Sequence, residues 1–172
     1  PWSFTNGAVL VKGLVSGSSS YLLSKAAFSI PFRLAVGLTM SQRIANQAVR
    51  VELVSLDPST GLPDYDFVAR WLFDGTSATT AKYGTDVNGQ STISSGVTVV
   101  TTAGSGYFEI EAAVDELWFH CSTVDGTSGR TNTYRKQLKL LDPERAYKVK
   151  IDVVNVGVPA SATTVTIPFV FV

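Results

Sequence analysis

The sequence has few charged residues, and this shortage excludes several classes of protein. Charged residues are 16% of the 172, against about 25% in an ordinary soluble domain, and 14 basic residues balance 14 acidic ones. A neutral chain with scattered Lys and Arg has no electrostatic attraction to nucleic acid, so we expect no nucleic-acid partner. A surface with so little charge also leaves more area for contacts with other subunits.

Cysteine and long apolar runs are scarce as well. With the single cysteine Cys121 the chain cannot form an internal disulfide, so its stability must come from packing. No apolar run reaches the roughly 18 residues of a transmembrane helix, and we expect no membrane partner. The chain begins with Pro1 and shows no signal peptide, so we expect a trimmed or processed chain, or the end of a longer one. No phosphate loop or C-x-x-C occurs, and we expect no cofactor.

Alternating apolar and polar residues run through most of the chain, which is typical of strands with one buried face. The pattern predicts strands over 8–15, 26–40, 48–56, 66–73, 96–102, 106–113, 115–121, 133–140, 145–156 and 162–172. Pro31 predicts that the second of these divides into two short strands or contains a bulge. About ten short strands, with no helix longer than one turn near 41–47, predict an all-β fold, an antiparallel two-sheet β-sandwich of the jelly-roll type. We expect residues 1–172 to form one domain, with 1–7 as a possible docking arm.

The last predicted strand is apolar to its end. Its alternation predicts one buried face from Val165 to Phe171, and both faces of the last four residues are apolar. We therefore expect this strand to lie inside the sandwich or against another copy of the chain, with Pro168 at a bulge or an unpaired edge position. A homo-oligomer follows as the predicted assembly. The predicted subunit-interface residues are Trp2, Phe169 and Phe171.

Two glutamates and one histidine are the candidates for catalysis. Glu109 and Glu111 lie two residues apart, which places both carboxyl groups on one strand face at a spacing suited to glycoside hydrolysis. Because apolar side chains occupy the other face, we interpret these glutamates as the solvent side of an amphipathic strand. His120 is the single histidine and is interpreted as half-buried or interfacial. The adjoining Cys121 points to the opposite face and is interpreted as a buried thiol. We therefore predict no enzyme, no catalytic residue and no metal ligand.

Acidic and amide side chains also gather in two turns. Asp57, Asp64 and Asp66 flank the turn 57–66, and Asn88 precedes a glycine in the strongest short hairpin signal of the chain. Calcium takes oxygen ligands from such loops, but the spacing of a calcium-binding loop is missing and ordinary turn chemistry explains these residues. Calcium binding is therefore left open.

The aromatic residues offer a possible binding platform. Trp71, Tyr83, Tyr107, Trp118 and Tyr134 could present a face on which sugar rings stack. Trp71 and Trp118 are more readily interpreted as core anchors of the sandwich. We retain three residues as candidates for contact with a carbohydrate or a protein partner: Tyr107, Trp118 and Tyr134.

Three long segments carry a resemblance to a known group of proteins: FSIPFRLAVGLTMSQRIANQAVRVELVS, RWLFDGTSATTAKYGT, and DELWFHCSTVDGTSGRTNTYRKQLKLLDPERAYKVKIDVVNV. These resemble structural proteins of tailed bacteriophages. The resemblance implies a virion location and a non-catalytic structural role, with a homo-oligomer that decorates the capsid by binding the major capsid protein. The alternative that it implies is a fibre or baseplate module that binds a receptor or host glycan. No site residue is carried over from it.

Overall fold

The computed structural model describes residues 3–4, 8–12, 16–75, 77, 79–98, 106–122, 132–137 and 141–172, with the backbone alone for 3–4, 8–12 and 132–137. These residues form two antiparallel β-sheets and contain no helix, which confirms the predicted all-β jelly-roll sandwich. Nothing in the described ranges is a helix of the length and hydropathy needed to cross a membrane. Trp2 lies outside the described residues.

Each sheet contains eight of the described strand segments. Sheet I is formed by β1 (Ser3–Phe4), β2 (Ala8–Lys12), β5 (Phe32–Met40), β11 (Gly106–Ala112), β12 (Glu116–Ser122), β13 (Asn132–Gln137), β15 (Thr163–Ile167) and β16 (Val170–Phe171). Sheet II is formed by β3 (Ser19–Leu23), β4 (Phe28–Ser29), β6 (Gln47–Leu56), β7 (Pro63–Asp74), β8 (Thr80–Val87), β9 (Gln90–Ile93), β10 (Val97–Thr98) and β14 (Ala146–Asn155).

The strand orders place β11 and β6 near the centres of their sheets. Sheet I runs β1–β16–β5–β11–β12–β13, with β15 joining β5 and β2, and sheet II runs β10–β8–β7–β6–β14–β3. The segments outnumber the ten predicted strands for two reasons. Several are only two residues long, and the run 26–40 divides at Pro31, so that β4 joins sheet II and β5 joins sheet I.

The core lies between the sheets and is built from alternate positions along the strands. The inward residues include Leu34, Val36 and Leu38 of β5; Val49, Val51 and Leu53 of β6; Ala69, Trp71 and Phe73 of β7; Phe108 and Ile110 of β11; Leu117, Phe119 and Cys121 of β12; and Tyr147, Val149, Ile151 and Val153 of β14. Burial of Trp71 and of the Cys121 thiol is thereby confirmed. Apolar burial on this scale is the main source of stability in a chain without a disulfide.

Two local interpretations are wrong, and a third is confirmed. Trp118 is not a core anchor, because its neighbours Leu117 and Phe119 point inward and alternation turns the indole outward. Residues 41–46 form an irregular turn and not a helical one, and Gln47 begins β6. The Asn88–Gly89 pair, with φ of 50° and 78°, joins β8 to β9 as a hairpin, as its sequence predicted.

The C-terminal strand divides at Pro168, and this changes which side chains it buries. Ile167 of β15 and Val170 of β16 are both fully buried, so two residues separate successive inward positions. The unbroken alternation expected from Val165 to Phe171 is therefore wrong. Phe169 lies over Gly37 on the outer face of sheet I, where a Cβ would come within 2.6 Å of its ring, and Phe171 is 45% exposed.

The turn 57–66 is held by hydrogen bonds of its own aspartates. Asp57 accepts hydrogen bonds from the amides of Ser59 (2.7 Å) and Thr60 (3.0 Å). Asp64 accepts hydrogen bonds from the Ser55 hydroxyl, the Asp66 amide and the Arg145 guanidinium, the last at 2.5 Å. Burial alone would raise the pKa of Asp64, but these three donors outweigh burial and lower it below the ordinary 3.8. Turn chemistry and Arg145 thus account for these carboxylates.

Replacing Asp64 with Asn should destabilise the protein by about 1.5–3 kcal/mol at neutral pH, because charge-assisted hydrogen bonds to Ser55 and Arg145 are lost. A carboxyl group whose pKa is lower in the folded protein than in the unfolded chain stabilises the fold at pH values above its unfolded pKa. This contribution is lost as the pH falls through the folded pKa. The free energy of unfolding of the wild type should therefore fall as pH drops below about 4, and this fall should be shallower in the variant.

The matched control is Asp66→Asn. Asp66 contacts the same guanidinium at 3.3 Å but is about half exposed, so its loss should cost less. Urea unfolding from pH 7 to pH 2 measures both variants. Equal stability losses for the two, or an unchanged slope in Asp64→Asn, would contradict the assignment.

Candidate active site

Polar side chains gather on the outer face of sheet I, at the middle of the sheet. Strand alternation turns Tyr107, Glu109 and Glu111 of β11 to this face, because Phe108 and Ile110 are in the core. In the register with β12, Glu109 lies directly opposite His120 and Glu111 opposite Trp118. We call the group Tyr107, Glu109, Glu111, Trp118 and His120 the Glu face.

The three titratable side chains of the Glu face converge. One carboxylate oxygen from Glu109, one from Glu111 and one ring nitrogen of His120 all lie within 4.8 Å of one another. Within this group, Glu111 Oε2 lies 3.3 Å from His120 Nε2. Cross-strand and same-face neighbours on a pleated sheet are close enough to produce this clustering without a special loop.

Glu109 is buried, contrary to its interpretation as a solvent-facing residue. Its exposed fraction is 0%, because neighbouring polar groups cover it instead of water. The Tyr107 hydroxyl donates to Oε2, and Arg33 Nε of β5 lies 3.6 Å from Oε1. A buried carboxylate needs such a hydroxyl donor and such a cation to offset the cost of leaving water. The side chain of Glu111 is 40% exposed, so the two glutamates have different environments.

His120 is buried against an indole, where the sequence predicted a half-buried ring. The Trp118 ring lies nearly parallel to the imidazole, with 6.4 Å between ring centroids and 8° between planes. Trp118 Nε1 donates to Glu116 Oε2 at 3.0 Å, which fixes the indole. The stacked indole therefore restricts the orientation of the imidazole toward Glu111.

Two of the three candidate residues for contact with a carbohydrate or a protein partner lie on the Glu face, and the third is described by its backbone alone. Tyr107 and Trp118 share the Glu face, whereas the backbone of Tyr134 pairs with Phe119, one register position away from the Trp118–Arg135 pair. Sequence reasoning missed Arg33. The signal for it was available, since Arg33 is the one charged residue in the apolar run 26–40 of strand-like sequence.

An open hollow of about 430 Å³ lies beside Arg33 and Tyr107, the two side chains that contact Glu109. Its walls include the Tyr107 ring and the side chains of Arg33, Phe169 and Phe171. Phe169 lies 5.3 Å from Phe171 and 6.4 Å from Tyr107, measured between ring centroids. A sugar ring has apolar faces and polar edges. Three aromatic rings beside a carboxylate therefore form a surface that is suited to binding it.

This arrangement supports two kinds of chemistry. Two carboxyl groups about 5–5.5 Å apart are the pair that retaining glycoside hydrolysis requires, and the separation here fits that pair better than the wider one of inverting enzymes. Two carboxylates with one imidazole are also a donor set that a transition metal accepts. If a metal binds the described residues, Glu109, Glu111 and His120 would hold it.

Sequence comparison gives no relative for this chain: no protein-family model matches it, and no curated protein matches it either. Structural comparison does find similar folds. An endo-acting O-glycanase of human gut bacteria, which initiates mucin breakdown, has a TM-score of 0.69 at 13% identity, covering 88% of this chain and 72% of that one. A β-glucanase of Bacillus licheniformis has a TM-score of 0.64 at 12% identity, covering 94% and 76%. A β-1,3-glucanase of Mycobacterium marinum has a TM-score of 0.64 at 9% identity, covering 95% and 72%.

These neighbours correct two of the functional predictions. The chain was expected to be a non-catalytic virion structural protein, in a capsid, fibre or baseplate, and not an enzyme. Both expectations are contradicted, because the three similar structures named above are enzymes that act on carbohydrates. The phage resemblance, the virion location and the partner subunits stay predictions. At 9–13% identity the likeness itself shows that this chain has the jelly-roll fold of those enzymes.

Proposed function

We propose that this protein hydrolyses glycosidic bonds of a polysaccharide at the Glu face. One observation carries the proposal: Glu109 and Glu111 approach each other within 4.8 Å on a face whose adjoining hollow is lined by aromatic rings. The fold shared with glucanases and an O-glycanase supports the same substrate class.

The different environments of the two glutamates assign their roles. Glu109 is fixed by Tyr107 and Arg33, so it is the nucleophile whose oxygen attacks the anomeric carbon while the bond to the leaving oxygen breaks. Glu111 is more exposed and gives its proton to the leaving oxygen. Glu111 then takes a proton from the water that attacks the same carbon and releases Glu109. Two displacements at one carbon retain its configuration.

The hollow explains how a substrate reaches a buried nucleophile. The side chain of Arg33 is 59% exposed and that of Phe171 is also exposed, so both can move when a sugar enters. A sugar ring stacked on Tyr107 or Phe169 brings its hydroxyl groups to the Tyr107 hydroxyl and the Arg33 guanidinium. Sugar hydroxyls then replace part of the hydrogen bonding that covers Glu109 in the free protein.

We expect the wild type to release reducing ends from at least one of three substrates: β-1,3-glucan, mixed-linkage β-1,3-1,4-glucan and mucin O-glycans. Proton NMR of the first product should show the anomeric configuration of the cleaved bond retained. Absence of new reducing ends from all three after prolonged incubation would refute hydrolysis. Inversion of configuration would refute the role of Glu109 as nucleophile.

A parallel assay with EDTA decides between the two chemistries of the Glu face. Hydrolysis by two carboxyl groups needs no metal, so the rate should be unchanged by the chelator. A loss of activity that Zn²⁺ or Mn²⁺ restores would assign Glu109, Glu111 and His120 to a metal instead.

A further inference from the structure

A second polar surface lies on the outer face of sheet II, on the opposite side of the sandwich from the Glu face. We call it the charged face, and its six members are Arg50, Glu52, Arg70, Asp86, Lys150 and Asp152. Three cations balance three anions. Glu52 and Asp152 are almost completely buried beneath the longer basic side chains.

Strand register arranges these residues in rows across the sheet. Lys150 of β14 lies opposite Glu52 of β6, which lies opposite Arg70 of β7. Asp152 and Arg50 form the next pair along the same strands. From β3 to β8 the sheet spans about 19 Å at roughly 4.8 Å per strand, which is the length of an oligosaccharide and not of a single sugar.

Lys150 Nζ lies 3.0 Å from Asp152 Oδ2, but other ion pairs of the charged face are loose and several polar atoms in the described part of the chain have no partner. Arg70 Nε lies 3.4 Å from Glu52 Oε1, and Arg50 Nη1 lies 4.0 Å from Asp152 Oδ2, longer than ordinary hydrogen bonds. Among the described residues, four buried atoms of this face have no hydrogen-bond partner: Arg50 Nε, Arg70 Nε, Asp86 Oδ1 and Asp152 Oδ1. Buried polar atoms without partners are costly, so the members of this face do not fully satisfy one another's hydrogen-bonding groups.

Burial also affects the titration of this face. Burial and the nearby Asp152 raise the pKa of Glu52, and the cations beside it only partly offset this. A hydroxyl group that donates to Glu52 or Asp152 would stabilise the carboxylate form without adding charge.

Two exposed tyrosines stand at one end of the charged face. Tyr21 is 57% exposed and Tyr65 is 44% exposed, and Lys150 Nζ lies 5.9 Å and 5.1 Å from their ring centroids. The rings flank a hollow of about 400 Å³ that Lys150 also lines. Tyr65 has a φ of 62°, a left-handed conformation that costs free energy in a residue with a side chain. The turn thus holds this phenol at the hollow despite an unfavourable backbone.

We propose that the charged face, together with Tyr21 and Tyr65, binds an uncharged oligosaccharide at a site separate from Glu109. Aromatic rings stack on sugar faces, and the partly exposed side chains of Arg50, Arg70 and Asp86 offer donors and acceptors to sugar hydroxyls. The balanced charge of the face gives no net attraction for an acidic or sulfated chain. The site rests on these residues, whereas the choice of β-glucan as the probe rests on the proposed function.

The test is an NMR titration of the ¹⁵N-labelled Glu109→Gln variant, which keeps the probe intact. Laminaritetraose and a mixed-linkage β-glucan tetrasaccharide are added separately, and a sulfated dextran oligosaccharide is the charged comparison. We expect the backbone amides of 19–23, 62, 64, 65 and 150–152 to shift with at least one of the uncharged probes. The double variant Tyr21→Ala/Tyr65→Ala should require at least about fivefold more probe to reach the same shifts. The double variant Tyr21→Phe/Tyr65→Phe should retain most of the affinity.

Each outcome decides the proposal by itself. Shifts confined to 106–122, or no shifts at 19–23, 62, 64 and 65 with either uncharged probe, would overturn it even if hydrolysis is observed. A response to sulfated dextran alone would overturn the uncharged ligand. Conversely, shifts on the charged face in a protein that hydrolyses none of the substrates would support this site and refute only the proposed function. If the alanine pair fails to fold, the titration of Glu109→Gln still gives the answer.

Discussion

Replacing Glu109 with Gln is expected to lower the rate of polysaccharide hydrolysis by on the order of 10³-fold or more. The amide keeps the shape of the carboxyl group, but its nitrogen cannot act as a nucleophile and it carries no charge to stabilise the developing cation. The loss should appear in kcat, with KM changed little, because Glu109 contacts the sugar at the reacting carbon while the aromatic hollow supplies binding. Initial rates over a range of polysaccharide concentrations measure both.

Two further variants separate chemistry from structure. Glu144→Gln is the matched control: it makes the same substitution on an exposed turn in the segment 141–145, and it should retain full activity and stability. Glu109→Ala tests the role of nucleophile, because azide can enter the vacated space and attack the anomeric carbon from the same side. With a substrate whose leaving group is good, the rate should recover in azide and yield a glycosyl azide of inverted configuration.

Two results would contradict this role. Activity within about tenfold of the wild type in Glu109→Gln, at unchanged stability, would exclude Glu109 from the chemistry. Recovery by azide in Glu111→Ala that yields a glycosyl azide of inverted configuration, with no recovery in Glu109→Ala, would exchange the roles of the two glutamates.

Much of the fold could be predicted from the sequence, because strand alternation is a local property. The inward positions of β6, β7 and β14 follow directly from apolar residues two apart, and all of them reach the core. The break at Pro31 also follows from one residue. By contrast, the shift in the alternation of buried side chains at Pro168 could not be predicted. Both faces of residues 169–172 are apolar, so the pattern is the same whichever face is buried.

The candidate site was harder to predict, because its chemistry depends on strands distant in sequence. Alternation placed Glu109 and Glu111 on one face, but it could not show that Arg33 of β5 and His120 of β12 border β11. Because neighbouring side chains cover Glu109, its carboxylate is buried and held in one orientation, although strand alternation places it on the outer face. A polar residue that alternates with core residues along a strand is therefore not always exposed to solvent in a two-sheet fold, because other side chains can cover the outer face.

Trp71→Ala is expected to produce the largest loss of stability, about 3–5 kcal/mol. Trp71 is fully buried and packs edge-to-face against Phe108 and Phe119 of the opposite sheet, at 5.4 Å and 5.7 Å between ring centroids. Removal of the indole leaves a cavity between the sheets that surrounding side chains cannot fill. Urea unfolding monitored by circular dichroism should show the midpoint shifted strongly downward, and a shift equivalent to less than about 1 kcal/mol would contradict a packed core at this position.

The same tryptophan links the core to the Glu face. Its Nε1 donates to the carbonyl oxygen of Glu109 at 3.0 Å, so a side chain of sheet II positions the backbone of the proposed nucleophile in sheet I. Trp71→Phe keeps most of the packing and loses this hydrogen bond, at a cost of about 1 kcal/mol, and we expect kcat to fall several-fold at unchanged KM.

The control for this effect is Phe73→Leu. Phe73 contacts the same Phe108 ring at 4.6 Å but has no hydrogen-bonding group to reach Glu109, so its loss should lower stability and leave kcat unchanged. If both variants lower kcat in proportion to their loss of stability, Trp71 acts through packing alone. If only Trp71→Phe lowers kcat, its indole N–H is a positioning group for catalysis, and the core of this sandwich sets the geometry of the site on its outer face.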